Sequence, residues 1–317
     1  MTTQDNICSA IEPAYIPGTG IQIQLLNLRH IKAHHHENGL EILYCLKGHV
    51  WGHIAHDVLE MTSGLVVTFD RDDVHNIFAD KDNLCLIVHI DLNHPDYDHS
   101  QLYNTLYSCT NHPSFLRYPD QVETVCDMLL AAAYVNASDS ETRTEKCERI
   151  HRELIDMMLR YFEWFSLEDS PAKGIDKYDD RFHQILEHVM NLHHEKITLA
   201  KLSETLYLNP SYISSFISRT TFSSLTEIVN YFRCFHAEKL LLETDLTVGD
   251  ISSMVGFSSE KYFYKWFKYW WHTTPLQHRK QFYRYANRKE EYYEYSPSEA
   301  KSILKDYIVD RLVDKFI

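Results

Sequence analysis

The sequence predicts an α+β protein of two domains: an N-terminal antiparallel β-barrel with packed helices, then an all-α domain with two helix-turn-helix units. Three observations point there. Short apolar runs broken by turn residues fill the first ninety positions, helical spacing takes over after about residue 98, and a polar stretch containing Pro and Gly parts two halves near residue 170. The 317 residues suit two domains at about 100–200 residues each.

The strand candidates are Ile21–Leu28, Leu40–Leu46, Val50–Ala55, Leu65–Phe69 and Leu84–Ile90, rich in Ile, Leu, Val and aromatics. Lys47-Gly48, Ser63-Gly64 and Asp70–Asp73 supply the turns between them. Val122, Val125, Cys126, Leu129 and Leu130 then recur at helical spacing, as do Ile150, Leu154, Ile155, Met158, Leu159 and Phe162. Two helices packed on the barrel are expected, the second with an apolar stripe available to a partner chain. Ser166–Asp180 breaks both periods and is taken as a linker. The expected partition is a barrel domain over 1–165, the linker over 166–180, a helical domain over 181–290 and an amphipathic helical extension over 291–317. In that extension Ser296 or Ser298 caps a helix with Ile303, Leu304, Tyr307, Ile308 and Leu312 on one face.

Within the helical half, residues 197–219 and 246–268 share a layout. In the first, Thr198 caps a helix with Leu199, Leu202 and Leu206 on its apolar face, and Asn209-Pro210 restarts the chain. Tyr212, Ile213, Phe216 and Ile217 follow at helical spacing. In the second, Thr247 precedes a helix with Ile251 and Val255, Gly256 supplies the turn, and Ser258 caps a helix with Tyr262, Phe263, Trp266 and Phe267 inward. Helix, short turn, helix is the geometry that sets a second helix into a DNA major groove. Leu225–Leu242 reads as one connecting helix.

The run from Gly256 to Lys280 resembles the signature of the AraC family of bacterial transcription regulators, through Gly256, Phe257, Ser258, Tyr262, Phe263, Phe267, Lys268, Thr274, Pro275 and Arg279. Leu199, Leu202, Pro210, Ser211, Tyr212, Arg233, Ala237 and Leu240–Leu242 align with it upstream, so the resemblance covers about residues 181–285. It departs from the family pattern at Phe222 and His272, where a glycine usually follows each recognition helix, and at Ile217-Ser218, usually Phe-Lys. The resemblance implies DNA contacts from Ser211, Tyr212, Ser214, Ser215 and Arg219 on the first recognition helix. On the second it implies contacts from Ser259, Glu260, Lys261, Tyr264, Lys265 and Lys268. Lys can donate to guanine, Glu can accept from cytosine, and Ser suits phosphate or base edge.

His34-His35-His36-Glu37, followed by Glu41 and Gly48, is the other unusual feature. His34, His36 and Glu41 resemble the first motif of the cupin superfamily, and Gly64 with His75 part of its second, although that motif's usual Pro and Gly are Asp70 and Asp72 here. The barrel is therefore expected to be cupin-like. His34, His36, Glu41, Trp51 and His75 are expected to line a small-molecule pocket with no metal or other cofactor. His34, His36, Glu41 and His75 are the residues that would hold a metal if there were one. His35, between two inward positions, is expected to face out.

Together the resemblances imply a DNA-binding transcription regulator rather than an enzyme. It would be an activator responding to a sugar-like molecule, a homodimer through residues 119–165, with double-stranded DNA as partner and RNA polymerase a candidate one. The alternatives are a metal-dependent cupin enzyme with a helical partner module, or a constitutive regulator whose barrel only dimerises. Seven cysteines scattered singly fit reduced thiols. No apolar run reaches a membrane span and no secretory signal is visible at residue 1, so a cytoplasmic location is expected. The net charge of −14 argues against a polyanionic partner until it is partitioned. Residues 181–290 carry 14 Lys+Arg and 10 Asp+Glu, so the acidic excess lies elsewhere.

Overall fold

The computed structural model describes residues 8–54, 57–93, 95, 102, 106–112, 116, 118–138, 140–162, 178–218, 222, 224–286, 288–308 and 312. Two compact units emerge. One comprises Ala10–His99, Tyr107–Glu163 and Arg288–Ile317, and the other Met1–Ser9, Ser100–Leu106 and Trp164–Asn287.

The first unit is organised on β1 (Ile21–His35). Beside it lie β2 (Gly39–Lys47), β3 (His49–Ile54), β4 (Asp57–Thr62), β5 (Val66–Phe69), β6 (His75–Phe78), β7 (Leu84–Asp91) and β8 (Glu291–Glu294). The main path runs β4-β3-β6-β1-β7-β2-β5, giving a nearly closed antiparallel barrel. β1 pairs with β7 over Ile21–Leu26 and with β6 from His30 onward. Its register with β6 shifts between Ile31 and His34, and such an extra residue bends a strand and re-aims the side chains beyond it. Leu26, Leu28, Leu43, Cys45, Val50, Met61, Val67, Phe69, Ile77, Cys85 and Ile87 form the buried cluster of this unit. α1 (Pro119–Asn136) packs on β1 and β7, and α2 (Arg143–Tyr161) packs on α1 and β1. The apolar stripe of α2, including Ile150, Leu154, Ile155 and Met158, is buried within the unit.

The C-terminal extension departs from a single helix. Glu291–Glu294 is a strand, pairing Tyr292 with Leu28, Tyr293 with Asn27 and Glu294 with Leu26. Leu26 also pairs with Cys85 of β7, so β8 occupies the opposite edge of β1, on the side where β6 begins pairing only at His30. Unpaired backbone groups on that edge and a Tyr-rich segment of high β-propensity outweigh the helical spacing downstream. The helix of the extension, α10 (Pro297–Leu304), is short and packs on α1. Ser296 is its N-cap, with the backbone amide of Ser296 donating to Glu299 at 2.9 Å. Residues 305–307 turn rather than continuing the helix, and residues 309–311 and 313–317 lie outside the described ones, as does most of the expected linker.

The second unit holds α3 (Tyr178–Leu192), α4 (Leu199–Leu206), α5 (Pro210–Ile217), α6 (Leu225–Glu243), α7 (Val248–Met254), α8 (Glu260–Trp271) and α9 (Pro275–Ala286). Thr198, Asn209, Ser224, Thr247 and Ser259 cap α4 to α8 in order, each side chain accepting from a backbone amide in the first turn. Ser259, rather than Ser258, therefore starts α8. Ile185, Leu186, Val189, Leu202, Ile213, Phe216, Ile217, Phe222, Ile228 and Phe232 make one buried cluster. α6 runs through the middle, touching α3, α7, α8 and α9.

Left-handed backbone occurs at two positions in the run from Gly256 to Lys280, Gly256 and His272. His272 ends α8 at φ 49°, which explains why glycine is usual there. Ser218 ends α5 in ordinary right-handed geometry, so Phe222 can be a fully buried core residue instead. Gly256 sits at φ +90°, and a Cβ there would lie 2.4 Å from the His194 carbonyl oxygen. Gly256→Ala is expected to destabilise the helical unit by at least about 1–3 kcal/mol, read as a lower urea midpoint with an unchanged slope.

Candidate functional site: two exposed helices and a buried histidine layer

The two helix pairs present matching surfaces. On α5, Ser211, Ser214 and Ser215 are exposed while Ile213, Phe216 and Ile217 are buried. Tyr212 is half-buried, its ring 5.9 Å from that of Phe216, so it belongs more to packing than to the outer face. Arg219 lies outside the described residues. On α8, Ser259, Glu260, Lys261, Lys265 and Lys268 are exposed, Tyr264 is half-buried, and Phe263, Phe267 and Trp271 face the core. Lys265 Nζ lies 5.7 Å and 5.6 Å from the ring centroids of Tyr262 and Trp266, a cation–π arrangement that steadies the ammonium at the surface.

Two arginines hold the pairs in equivalent fashion. Arg233 on α6 donates to the carbonyls of His193 and Glu195 at 2.7 and 2.8 Å, bracing the turn before α4. Arg279 on α9 donates to Leu241 at 2.7 Å, to Thr244 at 3.3 Å and to Leu246 at 2.9 Å, bracing the turn before α7. The closing arginine of the signature is thus a structural tie. Beside it, buried His278 and Glu238 meet at 2.7 Å.

In the barrel unit, cross-strand register gathers the histidines. His34 on β1 pairs with His75 on β6, and Glu41 on β2 lies between Phe69 on β5 and His89 on β7. Glu41 Oε2 lies 3.4 Å from His34 Nε2, 3.0 Å from His36 Nε2, 3.4 Å from His75 Nε2 and 3.1 Å from His89 Nε2. All five side chains are buried. The Phe69 ring stacks on His75, with centroids 4.1 Å apart and planes 7° apart. Burial alone would raise the Glu41 carboxyl, but the surrounding imidazoles outweigh it and hold the group well below the usual carboxylate range. Burial lowers His75 to about 4, helped by the charge of His34. Burial also lowers His89, whereas for His34 the Glu41 carboxylate outweighs burial and raises it.

Four of the expected ligand-pocket residues, His34, His36, Glu41 and His75, therefore converge, and Trp51 does not. Val50 and Gly52 face inward on β3, so alternation turns Trp51 to the other face, where it stacks on Phe78 at 5.6 Å. His35 points away from the layer, as alternation requires, yet is fully buried beside Asp72, 3.7 Å from its carboxylate. Asp72 stands where the cupin pattern has glycine and adopts φ +63°, the backbone that glycine would ease. His89 was not foreseen. Its signal was the period of β7, where Cys85 and Ile87 point inward and residue 89 follows two positions on.

Residues 202–281 match a helix-turn-helix domain family. The chain is 32% identical over 133 residues to an uncharacterised HTH-type transcriptional regulator of Staphylococcus aureus strain COL, aligning 41% of this chain with 18% of that protein. It is 22% identical over 276 residues to another, of Staphylococcus aureus strain MSSA476, aligning 86% of this chain with 35% of that one. The chain thus spans well under half the length of these curated relatives. ToxT from Vibrio cholerae O395 is similar at 12% identity and a TM-score of 0.40, covering 83% of this chain and 98% of that one.

Removing the central carboxylate exposes the cost of the layer. Glu41→Ala is expected to destabilise the barrel unit by about 3–5 kcal/mol, because a buried ion pair then loses one partner. Glu60→Ala, at the solvent-exposed His49–Glu60 contact of 3.1 Å, is expected to change stability by under about 1 kcal/mol. Chemical denaturation followed by circular dichroism separates the two, and equal effects contradict the central role of Glu41.

Proposed function

We propose, on the premise that residues 202–281 carry an AraC-type helix-turn-helix domain, that this chain is a sequence-specific DNA-binding transcription regulator with a ligand-binding barrel. One observation supports this above all. α5 and α8 each lock an apolar face into the core and leave a polar face of serines, or of Ser, Glu and Lys, open to solvent. Lys261 and Lys265 can reach guanine edges or phosphates, Glu260 can accept from cytosine, and the serines suit either. α8 supplies most of the described positive charge of the pair, so it contributes more of the salt-dependent affinity.

The effector site is the histidine layer. The interior next to it is occupied by the apolar cluster around Leu43, Val67 and Ile77, which offers a sugar ring no polar partners. A polar sugar-like effector is therefore a poor match, and a small or strongly cationic ligand a better one. A homodimer would raise the effective concentration of the second DNA-binding domain. Because the apolar stripe of α2 is already buried, its surface must be sought elsewhere on the barrel unit. The activator role and an RNA polymerase contact are supported by the resemblance alone.

The test is duplex selection from a random pool with the full chain, followed by a salt titration of the selected site. Replacing Lys261 and Lys265 by Ala is expected to reduce the slope of log affinity against log salt by about 1 per lysine. Lys81→Ala, an exposed lysine of the barrel unit, should leave the slope unchanged. Absence of any salt-sensitive, sequence-selective duplex binding, with and without ligand, overturns the proposal.

A further inference from the structure

Cys45 and Cys85 are direct partners in the ladder between β2 and β7, four positions along it from Glu41 and His89. Both are fully buried in the apolar cluster of the barrel unit. The Cys45 amide donates to the Leu65 carbonyl at 2.9 Å, and its own carbonyl accepts from the Gly64 amide at 2.8 Å. Both contacts lie on the β5 side of β2, and the N–H and C=O of a strand residue point to the same edge. Cys45 therefore has no backbone hydrogen bond to β7, and it faces Cys85 as a non-hydrogen-bonded pair. Such pairs set their Cα atoms about 4.5 Å apart, within the span of about 4.4–6.8 Å that a disulfide bridges. Cys45 Sγ lies 3.7 Å from the carbonyl oxygens of Lys47 and Gly48, and Cys85 Sγ lies 3.6 Å from Asn83 Oδ1. Gly48 forms the half-buried turn from β2 to β3 at φ +89°, so the Cys45 sulfur sits just beneath a surface turn. Cys126, Cys147 and Cys234, by contrast, lie on helices.

We propose that Cys45 and Cys85 are an oxidation site, a thiol pair that hydrogen peroxide closes into a reversible cross-strand disulfide. The two sulfurs have different parts in the reaction. The hydrogen bond from Cys85 holds the Cys45 thiol below its ordinary range, while that contact and burial push Cys85 well above it. The thiolate is the nucleophile, so Cys45 attacks first. Its sulfur bonds one peroxide oxygen, the O–O bond breaks, and the departing hydroxide takes up the proton that Cys45 released. Cys85 Sγ then attacks the Cys45 sulfenic acid, and hydroxide leaves with the Cys85 proton as a second water. Two thiols and one peroxide become one disulfide and two waters, with two electrons passing from sulfur to oxygen. A dithiol reductant reverses the bond by exchange. Neither sulfur is exposed, so peroxide enters by local opening at the Gly48 turn. The bond fastens the same ladder that sets Glu41 opposite His89. This site does not depend on the DNA-binding function proposed above.

The experiment reduces the full chain, removes the reductant and adds hydrogen peroxide in excess over thiols. Remaining thiols are then blocked with iodoacetamide, and linkages are mapped by mass spectrometry of the non-reduced digest. The expected result is a single linkage within each chain, joining the peptides of Cys45 and Cys85, and fully reversed by dithiothreitol. The linked chain should melt about 5–15 °C above the reduced one, because the bond closes a loop of about 40 residues in the unfolded chain. A linked chain that melts no higher overturns the claim that the strands already hold bonding geometry. Cys85→Ala, whose sulfenic acid lacks a partner, should be trapped at Cys45 by dimedone. Cys45→Ala should be trapped at Cys85 about tenfold more slowly or less, and equal rates overturn Cys45 as the attacking sulfur. The mapping uses the wild-type chain, so it decides the site even where a variant fails to fold. Seven free thiols in a cooperatively melting chain, under conditions that oxidise the urea-unfolded chain, overturn the proposal. A linkage confined to another cysteine pair, or formed only between chains, overturns it as well.

Discussion

A buried carboxylate must be compensated, and in the barrel unit that requirement falls on Glu41. Removed from water, its charge is tolerable only because four imidazoles reach one of its oxygens. Those imidazoles come from β1, the residue just beyond it, β6 and β7, so the compensation works only if these strands hold one register. A slip of one residue would turn each inward histidine to the opposite face. The register shift between Ile31 and His34 belongs to the same arrangement, because it sets the direction in which β1 delivers His34 opposite His75.

The helical unit obeys a different constraint. Short helices are marginal in isolation, and α4, α5 and α7 are of seven or eight residues each. Each has a side-chain cap at its start; α7 and α8 pack on α6, and α4 and α5 share a buried cluster with its Ile228 and Phe232. Arg233 and Arg279 then tie the turns before α4 and α7 by carbonyl contacts that need a planar, multi-donor group. The faces of α5 and α8 left over by this packing are the exposed ones to which the proposed function assigns DNA. A signature arginine and an exposed lysine thus have opposite roles: the first is engaged with backbone and the second is free to meet a polyanion.

Much of the helical unit was legible in the sequence. Caps such as Thr198, Asn209 and Thr247 and the spacing of Ile213, Phe216 and Ile217 are local signals, decided within a turn or two of the chain. The strands were legible as apolar runs, but Asp57–Thr62 and His75–Phe78 were missed because polar residues interrupt them. His34, His36, Glu41 and His75 could be nominated from spacing. Trp51 does not join them, because inward and outward positions on β3 become distinct only once its pairing with β6 is known.

By itself, the sequence determined the elements whose causes are local: the paired helices, their caps, the turn at Gly256 and the division of charge between the halves. Tertiary structure alone decided what depends on partners far along the chain. It placed His89 opposite Glu41 by strand register, turned Glu291–Glu294 into a strand on the edge of β1, and buried the apolar stripe of α2 against α1 and β1. Helical periodicity states which residues share a face, whereas a strand's pattern says nothing about which other strand it will meet. The chemistry of the layer, a buried carboxylate met by four imidazoles, is a property of that meeting.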